Sequence, residues 1–184
     1  LKDTSKIATP PTSRIPIKTL VKFFDWKSIS KIIKTELARG GQVYFVHNNI
    51  TALSFYKERL VSLFPKNNVE LAHSKVSSQR LEKTVLAFFK GDVDVLVCTS
   101  IIESGLDIPN ANTIIINQAQ NFGLSQLYQI RGRVGRGGRQ AHCCLCVPKK
   151  HKLSPNAFQR LKSIEFNTSL GSGYTIAMKD LELR

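Results

Sequence analysis

Short apolar runs alternate with amphipathic stretches along most of the chain. Six runs rich in β-branched and aromatic residues have the length of buried strands, and they lie at 17–24, 42–47, 69–73, 94–99, 113–117 and 141–147. Between and after them, apolar residues recur at helical spacing, over 26–37, 50–64, 77–89, 123–130 and 157–164. Alternating strands and helices are typical of a parallel sheet covered on both faces. The pattern therefore predicts an α/β fold.

The ends of the predicted helices carry residues that start or stop helices. Gly40 and Gly41 end the first helix, and Pro65 ends the second. Ser77 is a suitable N-cap for the third helix, which Gly91 terminates. Periodicity and capping residues therefore predict the same helices.

The chain divides into three predicted parts. Residues 1–16 contain three prolines and are interpreted as a linker that enters the fold. Residues 17–148 form the sheet domain, and Pro148 marks its end. Residues 149–184 contain one clear helix and a second short element, so we expect a helical hairpin appended to the sheet domain.

Charge narrows the partners that we expect. Lys and Arg number 27 against 13 Asp and Glu, which gives a formal net charge of +14. Such a surplus favours a polyanion as partner, above all nucleic acid, although a solvated basic surface would have the same composition. No apolar run approaches the roughly 20 residues that span a bilayer, so we expect no membrane. The chain begins with neither Met nor a signal peptide, and we expect a piece of a longer cytoplasmic protein.

Four cysteines raise the question of a metal site. Cys143, Cys144 and Cys146 follow His142, and Cys98 lies in an earlier strand. Structural zinc sites prefer ligands paired at a short fixed spacing, with a second pair elsewhere. Alternation along a strand would instead place Cys143 opposite the other two thiols. Cysteines that serve as small buried apolar residues in a reducing cytosol fit this pattern better, and we predict no metal.

The segment 129–139 interleaves four arginines with four glycines in the sequence QIRGRVGRGGR. Glycine lets the backbone approach a ligand closely, and the forked guanidinium of arginine matches phosphate oxygens. Composition alone fits two interpretations. One is a flexible basic loop that touches a nucleic-acid backbone, and the other is a loop aimed at the phosphates of a nucleotide.

A second polar segment follows the predicted strand 94–99 and has the sequence TSIIESGLDIP from Thr99 to Pro109. Open α/β sheets place their ligands at the C-terminal ends of strands, and Thr99 and Ser100 can donate hydrogen bonds to phosphates. Ordinary structural roles are available as well. Thr99 can bond its own backbone, and Asp107 can cap a turn.

Together the two segments resemble motifs V and VI of the superfamily 2 helicases and translocases, whose second RecA-like domain faces an ATP held mainly by the first. The spacing Q-x-x-G-R-x-G-R from Gln129 to Arg136 is that of motif VI. The resemblance implies that Arg133 and Arg136 are catalytic arginine fingers, which neutralise charge developing on the γ-phosphate. It also implies nucleotide-binding roles for Glu103, Gly105, Asp107 and Gln129. Arg131 and Arg139 are left to packing or DNA contact.

The same resemblance assigns DNA contacts to the ends of three predicted strands, in the places of motifs IV, IVa and V. The six candidates are His47, Asn48, His73, Ser74, Thr99 and Ser100. Each histidine can equally be a satisfied structural residue. The sequence AHSK at 72–75 departs from the Gly-His-Gly-Gln type usual in the family.

Further segments are similar to the bacterial transcription-repair coupling factor family, and 122–136 is also similar to the related RecG family. The segments that carry the first likeness are 7–14, 40–44, 101–103 and 111–116. Segments 157–161, 171–173 and 180–184 resemble the translocation motif of both families, a helical hairpin that couples ATP state to movement along duplex DNA. This likeness implies that Arg160 and Arg184 contact DNA, and the chain ends inside the motif.

The resemblance implies the second motor lobe of an ATP-dependent double-stranded DNA translocase, one that displaces stalled RNA polymerase and couples transcription to nucleotide excision repair. The chain has no G-x-x-x-x-G-K-[ST] loop and no Asp-Glu box, so ATP and Mg²⁺ would be bound mainly by a first RecA-like domain. We expect the isolated chain to be monomeric and inactive as an ATPase. Other domains of a protein in the bacterial cytoplasm would contact RNA polymerase and the excision-repair machinery.

Three alternatives stay open from the residues alone. The first is a RecG-like fork-remodelling lobe, and the second is an RNA helicase lobe, against which the translocation hairpin argues. The third is a basic nucleic-acid-binding module with no motor role. ATP turnover of arginine variants separates the third alternative from the motor lobes.

Overall fold

A parallel six-stranded sheet flanked by helices makes up the part of the chain that the computed structural model describes, residues 15–100, 107–149 and 153–167. The strands are β1 (Lys18–Phe23), β2 (Gln42–His47), β3 (Val69–Ala72), β4 (Val95–Cys98), β5 (Ala111–Asn117) and β6 (His142–Val147). The helices are α1 (Trp26–Ala38), α2 (Ile50–Leu63), α3 (Ser78–Lys90), α4 (Leu124–Arg131) and α5 (Pro155–Phe166), with a 3₁₀ turn at Ala119–Asn121. The predicted α/β fold is confirmed.

The order of the strands is β1-β6-β5-β2-β4-β3, and every neighbouring pair is parallel. The four inner strands β6, β5, β2 and β4 are almost entirely buried, whereas β1 at one edge is largely accessible. A strand buried on both faces needs apolar residues in succession rather than in alternation. That requirement explains the continuous runs that the sequence shows at 94–99 and 113–117.

Helices cover both faces of the sheet and divide the core into two layers. On one face, Val43 and Phe45 of β2 pack with residues of α1 and α2, including Ile33 and Leu53. On the other face, Tyr44 packs in a layer formed with α3, α4 and α5. The alternation of side chains along β2 therefore joins both layers through one strand.

The predicted helix signals act as expected at two ends of helices. The side chain of Ser77 accepts a hydrogen bond from the backbone N–H of Arg80, and Gly91 ends α3 in the left-handed conformation with φ 84°. Gly40, just after α1, is also left-handed with φ 77°. Glycine adopts this conformation without steric cost.

The four cysteines are all buried and reduced. Cys143 packs in the layer with α3, α4 and α5, whereas Cys144 and Cys146 face the layer with α1 and α2. The predicted division of the thiols between two faces is therefore confirmed. Burial raises the pKa of the Cys143 thiol to about 12, so that thiol stays protonated and behaves as a small apolar residue.

Two properties bear on the class of protein. None of the described helices combines the length and the apolarity that crossing a membrane requires. Within residues 15–100, 107–149 and 153–167, no group of three or more His, Cys, Asp or Glu side chains is placed to hold a metal ion.

The parallel strands give the sheet two chemically different edges. The carboxyl edge carries the ends of β2, β3 and β4, where the backbone N–H of Thr99 donates to the carbonyl of Ala72. The amino edge carries the entries to β1, β2 and β5, where the N–H of Gln42 donates to the carbonyl of Asn110. The candidate functional residues divide between these two edges.

Helix α5, the described part of the predicted hairpin, covers the accessible edge strand β1. The backbone N–H of Val21 donates to Glu165 Oε1 over 2.9 Å, which satisfies a donor on the outer side of that strand. Leu161 and Ile164 of α5 join the core layer that contains α3 and α4. Residues 168–184, which carry the rest of the predicted hairpin and Arg184, lie outside the described residues.

Candidate nucleotide and nucleic-acid sites

The glycine–arginine loop lies at the amino edge of the sheet, between the end of α4 and the start of β6. Helix α4 ends at Arg131, and the loop joins β6 where the carbonyl of Ala141 accepts the N–H of Lys18. The side chain of Gln140 donates to the carbonyl of Pro16 over 2.8 Å at the same edge. Both ends of the loop are therefore fixed to the sheet domain.

Arg136 of this loop forms an ion pair with Asp107. Its Nη1 lies 2.9 Å from Asp107 Oδ2, and its Nε and Nη2 donate to the carbonyl of Gly132 over 3.3 and 3.2 Å. The Arg136 side chain is 26% exposed and that of Asp107 is 59% exposed. The guanidinium is thus oriented by its own loop and by the carboxylate, and about a quarter of the side chain stays accessible to solvent.

Arg133 lies half-buried on the same side of the sheet as the phenol of Tyr44. Burial raises the pKa of Tyr44 above its usual value, the positive charges of Arg133 and Arg136 oppose that rise, and the charge of Asp107 adds to it. These four side chains are therefore close enough to interact electrostatically. The two predicted fingers and Asp107 thus lie on the side of the sheet where Tyr44 packs in the layer with α3 and α4.

Gly137 brings the loop into direct contact with the segment that enters β5. A Cβ atom at Gly137 would overlap the backbone carbonyl of Pro109. Only glycine fits at this close approach. The backbone of the arginine loop therefore packs against the segment 107–110, so the last residues of motif V and the arginines of motif VI form a single unit.

Arg131 and Arg139, which the sequence left to packing or DNA contact, both make contacts within the lobe. Arg131 is 3% exposed, its Nη1 donates to the carbonyl of Ile164 over 2.6 Å, and burial lowers its pKa. Arg139 is exposed but donates from Nη1 to the carbonyl of Arg39 over 2.8 Å. The contacts of both side chains are those of structural residues.

Of the predicted nucleotide-binding residues, Gln129 and Asp107 lie within the described part of the chain and Glu103 and Gly105 do not. Gln129 is exposed on the last turn of α4, two residues before its end. Glu103 and Gly105 fall in 101–106, outside the described residues. Asp107 is the first described residue after that gap, and it lies on the amino side of β5 rather than at the carboxyl ends of strands.

The six DNA-binding residues predicted from motifs IV, IVa and V lie at the carboxyl edge, opposite the entries to the strands. Asn48 and Ser74 are exposed there, and His73 is half-buried, with its Nδ1 accepting the N–H of Lys75. Ser100 is partly exposed, whereas Thr99 is 9% exposed. This edge offers hydroxyl and amide groups of the kind that contact phosphates.

His47 is placed differently from its neighbours at this edge. It is 2% exposed, its ring centroid lies 4.8 Å from that of Tyr56, and burial lowers its pKa. An imidazole that is 2% exposed and packs at a tilt against Tyr56 offers almost no surface to a DNA strand. The burial of His47 favours a structural role, while its Nδ1 has no hydrogen-bond partner among the described residues, and Asn48 is the residue of motif IV that reaches solvent.

Arg160 lies on α5 and is partly buried. Its Nη2 donates to the carbonyl of Gln120 over 3.1 Å, which joins α5 to the turn that precedes α4. This hydrogen bond leaves the other guanidinium nitrogens for a second partner.

Glu36 and Arg39 were not predicted from the sequence, although they hold the end of the arginine loop that leads into β6. Arg39 donates from Nε and Nη2 to the two carboxylate oxygens of Glu36, over 2.8 and 2.6 Å, and from Nη2 to the carbonyl of Gln140 over 2.7 Å. The available signal was the Glu-x-x-Arg spacing in the last turn of α1, directly before Gly40 and Gly41.

The fold and the arginine loop are those of a RecA-like C-terminal helicase lobe. The chain belongs to the helicase conserved C-terminal domain family, whose model matches residues 26–138. Over all of its 184 residues it is 45% identical to a transcription-repair-coupling factor of Helicobacter pylori and 45% identical to that of Myxococcus xanthus. Over 183 residues it is 47% identical to a chloroplastic ATP-dependent DNA helicase of Arabidopsis thaliana. The chain spans only 18%, 15% and 22% of the lengths of these proteins.

Solved structures agree with this assignment. RecG bound to a three-way DNA junction matches 95% of this chain with 34% identity and a TM-score of 0.82, and the match covers 23% of the RecG chain. Domain 2 of the DEAD-box helicase Mss116p, bound to an RNA duplex, matches 91% of this chain and 69% of its own with 19% identity and a TM-score of 0.68. The second likeness extends to the fold alone.

Proposed function

We propose that the chain is the second motor lobe of an ATP-dependent double-stranded DNA translocase. The observation that carries this proposal is the loop of Arg133 and Arg136, held against Asp107 at one edge of a RecA-like sheet. A guanidinium that is oriented by its own loop and still partly exposed is suited to meet a phosphate presented by a facing domain. Because the proposed DNA contacts lie at the opposite edge of the sheet, ATP and DNA have separate surfaces on this lobe.

Arg133 and Arg136 act in this proposal as arginine fingers toward the γ-phosphate of ATP. The nucleotide and Mg²⁺ are held mainly by a first RecA-like domain, since this sequence has no phosphate-binding loop of the Walker type. When bound, the nucleotide supplies the phosphoryl group that is transferred to water. The residues of this lobe supply charge and orientation, with Asp107 and Gln129 at the rim of the same cleft.

The experiment is a steady-state ATPase measurement on the full-length protein at saturating duplex DNA. Arg133→Ala and Arg136→Ala should each lower turnover on the order of a thousandfold, the lower end of what arginine fingers contribute to related phosphoryl transfers. DNA affinity should change by less than about threefold, because these arginines lie away from the carboxyl edge. Lys34→Ala, on the exposed side of α1, is the matched control for loss of one positive charge.

A basic DNA-binding module with no motor role gives the opposite pattern. On that alternative, both arginine variants weaken DNA binding and leave turnover at saturating DNA unchanged. The isolated lobe provides a second check: we expect it to bind duplex DNA in a salt-dependent manner and to hydrolyse no ATP above the buffer background. Measurable turnover by the isolated lobe would contradict the division of the ATP site between two domains.

The cellular role of the full-length protein and its compartment are proposed from the relatives. Similarity over the whole chain to transcription-repair-coupling factors supports a protein that displaces stalled RNA polymerase and recruits the excision-repair machinery through its other domains. The bacterial cytoplasm is the compartment that we propose, and the chloroplastic relative makes an organelle of bacterial origin the alternative.

The second candidate is a fork-remodelling lobe, which the likeness to RecG on a three-way junction favours. Two assays on the full-length protein separate the candidates, displacement of a stalled RNA polymerase and regression of a model replication fork. We expect displacement of the polymerase. Fork regression without displacement would select the second candidate.

A further inference from the structure

Arg39, the C-cap residue of α1, fixes the end of the arginine loop that leads into β6. The backbone carbonyl of Arg39 accepts a hydrogen bond from Arg139 Nη1 over 2.8 Å, and the Arg39 side chain donates to the carbonyl of Gln140 over 2.7 Å. Arg39 thus contacts two successive loop residues, one through its backbone and the other through its guanidinium. These contacts lie three and four residues after Arg136.

Glu36 holds the Arg39 guanidinium in the orientation that reaches the loop. Its carboxylate is 1% exposed and accepts two hydrogen bonds from Arg39 and one from the hydroxyl of Thr113 on β5. A buried carboxylate is costly without such partners, so this ion pair is strongly fixed in place. A Cβ at Gly41 would overlap Glu36 Oε1, which means that Gly41 makes room for the carboxylate.

The loop is therefore held at two points, at Arg136 and Gly137 and again at residues 139 and 140. On one side Asp107 pairs with Arg136 and Pro109 packs against Gly137. On the other side the Glu36–Arg39 pair holds residues 139 and 140. Only Gly137 and Gly138 separate the second anchor from Arg136, and a misplacement of about 1 Å in a catalytic group can cost up to about a hundredfold in rate.

We propose that Glu36 and Arg39 are positioning residues for the arginine finger Arg136, acting through Arg139 and Gln140 without touching ATP. This inference rests on the proposed function of Arg136. Both residues act on the orientation of the finger, which matters in the transition state more than in the binding of ATP. The expected signature is a lower kcat with an unchanged KM for ATP.

The test uses Arg39→Lys and Arg139→Ala in the full-length protein at saturating DNA. Lysine keeps a positive charge beside Glu36 but lacks the planar fork that binds the carboxylate and the loop together. We expect kcat to fall about tenfold for Arg39→Lys and about threefold for Arg139→Ala, with KM within about twofold of the parent value. Lys34→Ala, on the same helix and away from the loop, should leave both constants unchanged.

A double-mutant cycle with Arg136→Ala separates positioning from stability alone. In the Arg136→Ala background, Arg39→Lys should lower kcat by less than about twofold, because the residue that it orients is gone. A tenfold loss that persists in that background would overturn the inference, as would a normal kcat for both single variants. Arg139→Ala leaves the buried ion pair intact, so it tests the loop contact even where Arg39→Lys lowers the melting temperature.

The same cycle distinguishes this inference from the proposed function. Normal turnover of Arg136→Ala alone contradicts the finger assignment itself. Slow turnover of Arg136→Ala together with normal turnover of Arg39→Lys and Arg139→Ala contradicts only the positioning role.

Discussion

Replacing Asp107 with Asn removes the charge that orients Arg136 while keeping the size of the side chain. The pair is joined at 2.9 Å, and the two side chains are 26% and 59% exposed. Two unit charges at about 4 Å near a protein surface attract by about 4 kcal/mol before desolvation and entropy are counted. Measured pairs with this degree of exposure contribute about 0.2–1 kcal/mol. We adopt the upper value because two further hydrogen bonds to the carbonyl of Gly132 restrict the guanidinium.

This magnitude limits both expected effects of Asp107→Asn. A loss of about 1 kcal/mol shifts the melting temperature of a domain of this size by about 2–4 °C. The same free energy, applied to the population of the oriented Arg136, lowers kcat by no more than about fivefold, since about 1.4 kcal/mol corresponds to tenfold. A role confined to orienting the finger therefore predicts a modest fall in turnover.

The assay is steady-state ATP hydrolysis by the full-length protein, with kcat and KM determined separately at saturating DNA. A two- to fivefold fall in kcat with an unchanged KM fits orientation of Arg136. A rise of tenfold or more in KM instead means that Asp107 contacts the nucleotide itself, as its position in motif V also allows. A loss of kcat beyond about a hundredfold, or an increase in kcat, would refute the reasoning from the ion pair.

Three further predictions concern the stability of the lobe, each measured by urea denaturation. Arg131→Ala should lower the free energy of unfolding by about 2–3 kcal/mol through loss of charged hydrogen bonds, and a change below about 0.5 kcal/mol would contradict its structural role. Gly41→Ala should cost about 1–3 kcal/mol through overlap with the Glu36 carboxylate, whereas Lys34→Ala, on the exposed side of α1, is the control. Burial lowers the pKa of His47 from 6.5 in the folded chain. As the pH falls below about 6.5, the unfolded chain therefore binds more protons than the folded chain, and the free energy of unfolding decreases. His47→Phe should make this decrease with pH smaller.

Local structure could be predicted well from the sequence because its signals are local. The N-cap at Ser77 and the left-handed glycine at Gly91 act within a single turn of chain, and the structure confirms both. The last helix begins at Pro155, two residues before the predicted start, because Ser154 caps it and proline is suited to the first turn. Strand β5 begins at Ala111 instead of Thr113, because a change of register after Gln42 lets Ala111 pair with Gln42 while Asn112 is bulged out of the pairing.

The placement of the candidate site could not be predicted in the same way. The sequence indicated that the polar segment with Thr99 and Asp107 follows the carboxyl end of a strand, where open α/β sheets bind their ligands. The structure separates them: Thr99 lies at the carboxyl edge, and Asp107 lies on the amino side of β5 beside Arg136. Two residues only eight positions apart thus serve opposite edges, because a chain that leaves one parallel strand must return to the opposite edge before it enters the next.

The sequence by itself determined the class of fold, the helix ends and the chemistry of the arginine loop, because periodicity, capping and residue type are properties of neighbouring residues. Tertiary structure alone decided which arginines face solvent and which hold the loop. Arg39 meets Gln140 across 101 positions of chain, and Glu36 meets Thr113 across 77. These contacts depend on the order in which the strands assemble, with β5 and β6 side by side and α1 across them. No local pattern encodes that order, and so Arg131 and Arg133, two residues apart in one motif, have different surroundings.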